Sequence, residues 1–224
     1  MRLIEHFFSL IAPHECINCG AEGVILCEIC TPAQLETVPE RCYRCNWLSP
    51  NSKTCNVCRH HSVLKHMWVR TSYTPKCREI IHALKFDFAR THAVWIAQEI
   101  ASVLPPLPNA TVITHVPAAT SHIRQRGFDQ SALIARELGH ILGLPHIHLL
   151  ARTGQQRQVG SSGKTRREQM KNAFRVVSPE VTHDALVLLI DDVLTTGSTI
   201  ESAARALRDG GAKAVSAAVL AQAK

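Results

Sequence analysis

A chain of 224 residues suffices for a medium domain with a small appendage, and an aromatic content of 5% dictates a core built from aliphatic side chains. No stretch reaches the length of a transmembrane helix, which excludes a helical membrane span. The net charge of +7, with thirteen histidines counted as neutral, favours an anionic partner such as nucleotide, pyrophosphate or nucleic acid, although solubility alone accounts for a charge of that size.

Residues 3–12 are apolar but short, include Glu5 and His6, and lack a small-residue cleavage site before the cysteines begin. They read as a packing helix, with a membrane or partner contact through Phe7, Phe8, Leu10 and Ile11 as the alternative. Without a secretory signal the expected location is cytoplasmic, and the cysteines are expected to bind metal rather than form disulfides.

Eight of the nine cysteines fall in four C-x-x-C knuckles, Cys16/Cys19, Cys27/Cys30, Cys42/Cys45 and Cys55/Cys58. Two intervening residues let both sulfurs of a knuckle face one tetrahedral zinc, and two knuckles complete its four thiolates, so two structural zinc ions use all eight. Sequential pairing is the simplest assignment, though spacing leaves interleaving open. An iron-sulfur cluster is the rival cofactor, because tetrahedral sulfur sites suit both metals. Gly20 and Asn46, each following a knuckle, tolerate the positive φ of such turns. Arg41, Arg44, Lys53, Arg59, His60 and His61 give this ribbon a basic surface, either for nucleic acid or as solvated charge. Residues 1–62 form the helix and double ribbon, and a second domain covers 63–224. Cys77, standing alone, reads as a small buried residue.

In that second domain, residues 67–73 read as a strand and 78–86 and 91–103 as helices, the latter ended by the prolines of 104–110. A strand over 111–116, a basic loop over 121–126 and a helix over 130–142 follow. Alternating strands and helices imply a parallel sheet, whose ligands bind at the C-terminal strand ends. There Arg124 and Arg126 are placed to face a pyrophosphate, guanidinium forks matching phosphate oxygens two at a time. The segment 152–175 carries seven basic residues against one acid, Glu168, with three glycines and two serines. It reads as a mobile lid over a departing pyrophosphate, as a disordered positive loop, or as a phosphate-tracking strip that lacks stacking aromatics.

Residues 187–190 are β-branched and aliphatic without alternation, a parallel strand buried on both faces. Asp191 and Asp192 stand at its end. Thr195, Thr196, Gly197, Ser198 and Thr199 form a turn into a helix over 200–208, so helix-terminal amides and hydroxyls surround an anion and Gly197 lets the backbone approach it. The carboxylates themselves repel phosphate; they accept hydrogen bonds from vicinal sugar hydroxyls or hold a divalent cation. No lysine of a P-loop and no G-x-G-x-x-G fingerprint is present.

This segment resembles the phosphoribosyl-pyrophosphate (PRPP) loop of type I phosphoribosyltransferases. With the cysteine knuckles, Ile80-Ile-His-Ala-Leu-Lys-Phe86, Val116-Pro117, Arg126-Gly-Phe-Asp-Gln130, Gln158-Val-Gly160 and 166–174, nearly the whole chain resembles the ComF family, phosphoribosyltransferase-like proteins with an N-terminal zinc ribbon associated with competence for DNA uptake. The resemblance implies an α/β fold of the type I phosphoribosyltransferase kind, with Thr195 to Thr199 on the 5-phosphate, Asp191 and Asp192 on the ribose hydroxyls, and Mg²⁺ bridging ribose and pyrophosphate. It implies PRPP or a related nucleotide as ligand, with single-stranded DNA and a competence helicase or other DNA-uptake protein as further partners. A base-recognition hood is missing, so the alternative, a working transferase of nucleotide metabolism, has an unidentified acceptor. The family usually carries Asn where this chain has Asp129, and Gly-Leu-Ser where it has Gly160-Ser161-Ser162.

Overall fold

The computed structural model describes residues 15–86, 89–153 and 173–223. The apolar segment 3–12 and nearly all of the basic segment 152–175 lie outside the described residues, so the expectations placed on them do too.

Two turns of like design open the chain. Cys16 N donates to Ala21 O, and Cys42 N donates to Trp47 O, each at a knuckle closed by a positive-φ residue, Gly20 at 75° and Asn46 at 62°. A one-turn helix, α1 (Thr31–Gln34), follows the first pair of knuckles.

Thereafter come β1 (Leu64–Ser72), α2 (Pro75–Phe86), α3 (Ala89–Ala101), β2 (Thr111–His115), α4 (Thr120–Arg126), α5 (Gln130–Leu142), β3 (Leu150–Arg152), β4 (Phe174–Val176), α6 (Pro179–Thr182), β5 (Leu186–Leu194), α7 (Ser198–Asp209) and β6 (Ala214–Gln222). The main sheet runs β1-β6-β5-β2 with all neighbours parallel, as the alternation of strands and helices requires. Consecutive residues of β5 serve opposite faces. Leu188 and Ile190 join α2, α3 and α5 in one apolar cluster, whereas Val187 and Leu189 join α7 and Phe174 in the other.

Three differences from the sequence reading have local causes. Residues 121–126 are helical rather than a basic loop, because Pro117 to Ala119 hold an extended entry and Gly127, at φ 82°, supplies the left-handed C-cap. Strand β5 runs past Ile190 to Leu194, since β6 continues alongside and pairs Asp191 with Val219 and Val193 with Ala221. The antiparallel β3–β4 pair and β6 are additions that the pattern did not announce. Among the described residues, no helix is long and apolar enough to cross a membrane.

Candidate functional site

The inner strand β5 delivers Asp191 and Asp192 to the C-terminal edge of the sheet, and the turn after it delivers the start of α7. Gly197 is the N-cap of α7 at φ 75° and brings no capping side chain, while the Thr196 hydroxyl accepts from Ser198 N at 3.4 Å. Thr195, Thr196 and Thr199 are exposed, and the Thr196 and Ser198 hydroxyls lie 2.8 Å apart. First-turn amides beside such hydroxyls suit an anion.

Helix α5 positions the carboxylates. Its Ser131 Oγ donates to Asp191 Oδ1 at 2.9 Å, and Gln130 Nε2 donates to Asp192 Oδ2. Asp192 is 8% exposed. Burial first, then the adjoining Asp192 charge, push the Asp191 carboxyl well above the usual carboxylate range, against bonds from Ser131 and the Asp192 amide. A divalent cation or a pair of sugar hydroxyls relieves that crowding, so this donor set fits both groups anticipated for it.

Of the two arginines singled out, Arg126 is brought to the site: its guanidinium donates to Gln130 Oε1 at 2.6 Å, and Gln130 in turn holds Asp192. Arg124 is exposed, and residues two positions apart on α4 do not share a face. Arg152, the first member of the basic segment, donates to Pro117 O at 2.8 Å and sits 5.0 Å over the Phe174 ring. Asp129 caps α5 through the amides of Ser131 and Ala132 and also accepts from Ala118 N at 2.8 Å, which fixes the stretch between β2 and α4. Behind it, His115 Nδ1 lies 3.1 Å from His146 Nε2, and burial followed by His146 and His148 holds the His115 ring down to about 3.

The cysteines group sequentially. The sulfurs of Cys16, Cys19, Cys27 and Cys30 lie within 4.8 Å of one another, as do those of Cys42, Cys45, Cys55 and Cys58. Amides reinforce both sets, Cys27 N on Cys16 Sγ at 3.4 Å and Cys55 N on Cys42 Sγ at 3.5 Å. Burial raises the Cys16 thiol, but backbone amides overcome it and bring it to about 6; Cys58 is pushed up to about 12 by burial and the crowding of Cys45, Cys55 and Cys42. Four thiols so crowded ionise together only around a cation, and each cluster fits one structural zinc ion.

The second cluster abuts the turn between β5 and α7. Glu201, in the first turn of α7, accepts from Tyr43 Oη at 2.6 Å, Ser62 Oγ at 2.9 Å and Val63 N at 3.0 Å. A methyl group at Gly197 would lie 3.2 Å from the Tyr43 ring, a tight contact that adds to the preference for glycine set by φ 75°.

A family model described as "phosphoribosyl transferase domain" matches residues 123–224. A protein of Salmonella typhi named DNA utilization protein YhgH is 31% identical over 204 residues, covering 85% of this chain and 87% of that one. Competence protein F of Haemophilus influenzae is 28% identical over 220 residues, covering 90% and 93%. The chain belongs to the ComF family. Competence protein ComFC of Bacillus subtilis matches a shorter stretch, 30% identical over 134 residues, 59% of this chain and 49% of that one. As a ComF protein it carries a phosphoribosyltransferase domain whose carboxylates, turn and helix occupy one edge of a parallel sheet. Reading the ComF motifs from sequence passed over Ser131, Tyr43 and Glu201. Ser131 adjoins a quoted motif and was within reach. The pattern Ser198-x-x-Glu201 reads as a capping box, yet the Glu201 carboxylate turns outward to the cysteine module.

Proposed function

We propose that this ComF protein serves DNA uptake in natural transformation by binding PRPP, or a nucleotide sharing its phosphoribosyl group, with Mg²⁺ at the β5–α7 edge. The observation that carries this reading is the juxtaposition of Asp191 and Asp192, both held by α5, with the start of α7. Thr195 to Thr199 would take the 5-phosphate, and the two carboxylates the ribose hydroxyls or the cation. Arg126, anchored by Gln130, is the basic group on the pyrophosphate side. Bound Mg²⁺ supplies charge neutralisation for pyrophosphate oxygens. The chain's own residues orient the sugar and exclude water around Asp192, and transfer to an unidentified acceptor is the enzymatic extension of the same site.

Isothermal titration with PRPP and Mg²⁺ tests this. Heat of binding is expected for the natural chain and a loss of at least about tenfold in affinity for Asp191→Asn/Asp192→Asn, two charged hydrogen-bonding groups being removed. A silent titration of the natural chain overturns the assignment.

A second partner is favoured by a separate observation. Trp47, Leu48 and Val57 on the second cysteine module are 77%, 73% and 78% exposed, and Arg44 and Arg59 of the same module are exposed too. An exposed indole on a module that also carries cations is a stacking platform for single-stranded DNA. Binding that weakens steeply with salt, and weakens further in Trp47→Ala, supports it; salt-independent binding removes it.

A further inference from the structure

Between the second cysteine module and α7 runs a groove of about 680 Å³ that neither the carboxylates nor Arg126 reach. Arg44, His60 and His61 line it from the module, and Ser198, Ser202 and Arg205 from the helix. Its one carboxylate, Glu201, is already engaged by Tyr43, Ser62, Val63 and Arg205. The three exposed cationic or imidazole groups of the module therefore present donors to whatever enters. Thr196, Gly197 and Ser198 belong both to this groove and to the phosphate turn, so an anion held at the turn stands at the groove's inner end. The walls are fixed relative to each other by the Tyr43 and Ser62 bonds to Glu201.

We infer that the groove is a second phosphate subsite, contiguous with the first and built jointly by the cysteine module and α7. Its ligand is a phosphoribosyl group whose 5′-phosphate bears a further phosphoryl or phosphodiester substituent, rather than a terminal monoester. This rests on the phosphoribosyl reading of the turn. Two sources share that chemistry: a nucleoside 5′-diphosphate, and the 3′-terminal nucleotide of a polynucleotide, whose 5′-phosphate continues into the preceding residue. PRPP ends in a monoester at this position and leaves the groove unused.

The test is calorimetric titration of the full, zinc-loaded chain with Mg²⁺ and, in turn, PRPP, AMP, ADP and the 5′-phosphorylated dinucleotide pApA. ADP, pApA or both are expected to bind about tenfold tighter than AMP, the contribution of one charge-assisted contact. His60→Ala/His61→Ala, at exposed positions lining the groove, is expected to abolish that ratio while leaving AMP and PRPP affinity within about twofold. Preference for ADP identifies an anhydride ligand, preference for pApA a polynucleotide end, and either supports the subsite. Equal affinity for AMP, ADP and pApA with PRPP still bound overturns the subsite and spares the phosphoribosyl reading, as does a preference that survives in the double variant. Failure of both PRPP and AMP to bind overturns the phosphoribosyl reading, and the subsite falls with it.

Discussion

The two cysteine modules have the same ligands and nearly the same turns but opposite surroundings. The first buries Cys16, Ile25, Leu26, Cys30 and Leu35 in the apolar cluster shared with α2 and α3. It is tied down further by Arg70, which donates to Leu35 O and Thr37 Oγ1, and by Lys76, which donates to Ile17 O at 3.0 Å. The second buries only Cys42 among its cysteines, exposes Trp47, Leu48 and Val57, and reaches the rest of the chain mainly through hydrogen bonds, those of Tyr43, Ser62 and Val63 to Glu201 and those of Thr54 to Leu64 and Lys65 of β1, with Tyr43 and Val63 packed against the second apolar cluster. One metal site extends the core. Its twin walls the turn between β5 and α7.

Removing one metal at a time separates these roles most forcefully, because structural zinc contributes on the order of 10 kcal/mol to the fold of its module. Cys16→Ser/Cys19→Ser is expected to lose one zinc equivalent and to lower the melting temperature more than Cys42→Ser/Cys45→Ser. The latter is expected to keep the first zinc and lose at least about tenfold in PRPP affinity. Equal losses of affinity in both would break the contrast. Next in size, Leu35→Ala leaves a cavity in the shared core and should cost about 2–5 kcal/mol in denaturant unfolding, with PRPP affinity unchanged in the folded protein. Tyr43→Phe deletes the bond to the Glu201 carboxylate; burial first, and then that carboxylate, push the phenol well above its ordinary value. It should cost about 1.5–3 kcal/mol, read partly as several-fold weaker PRPP binding. Smallest is Lys76→Ala, which removes a partly exposed contact to Ile17 and Glu79. Urea melts should register a change of about 1 kcal/mol or less, with none in ligand affinity.

What the sequence disclosed depended on how local the cause was. The knuckles carry their geometry within a few residues, so both clusters and the positive φ at Gly20 and Asn46 were legible. So were β2, α5 and the β5 turn, whose patterns are periodic or bounded by Gly and Pro. Strand β6 escaped because Ala-Val-Ser-Ala-Ala-Val-Leu-Ala has no strong strand signature of its own; its small residues pack into the apolar clusters on the two sheet faces, Ala218 and Ala221 in one and Ala217 in the other. The helix α4 escaped because its run of basic residues reads as a loop until Gly127 is recognised as a cap. Tyr43 and Glu201 are 158 positions apart, and no local rule pairs them.

The strand order has a bearing on how the molecule comes into being. Among the described strands of the main sheet, β1 pairs with β6 alone, with Leu64 beside Val215, so the sheet stays open until β6 has left the ribosome. The cysteine turns, closed by contacts such as Cys16 to Ala21 and Cys42 to Trp47, need no such wait and can take up metal while synthesis continues. A nascent chain arrested before β6 would have its cysteine turns yet lack a finished β5–α7 edge.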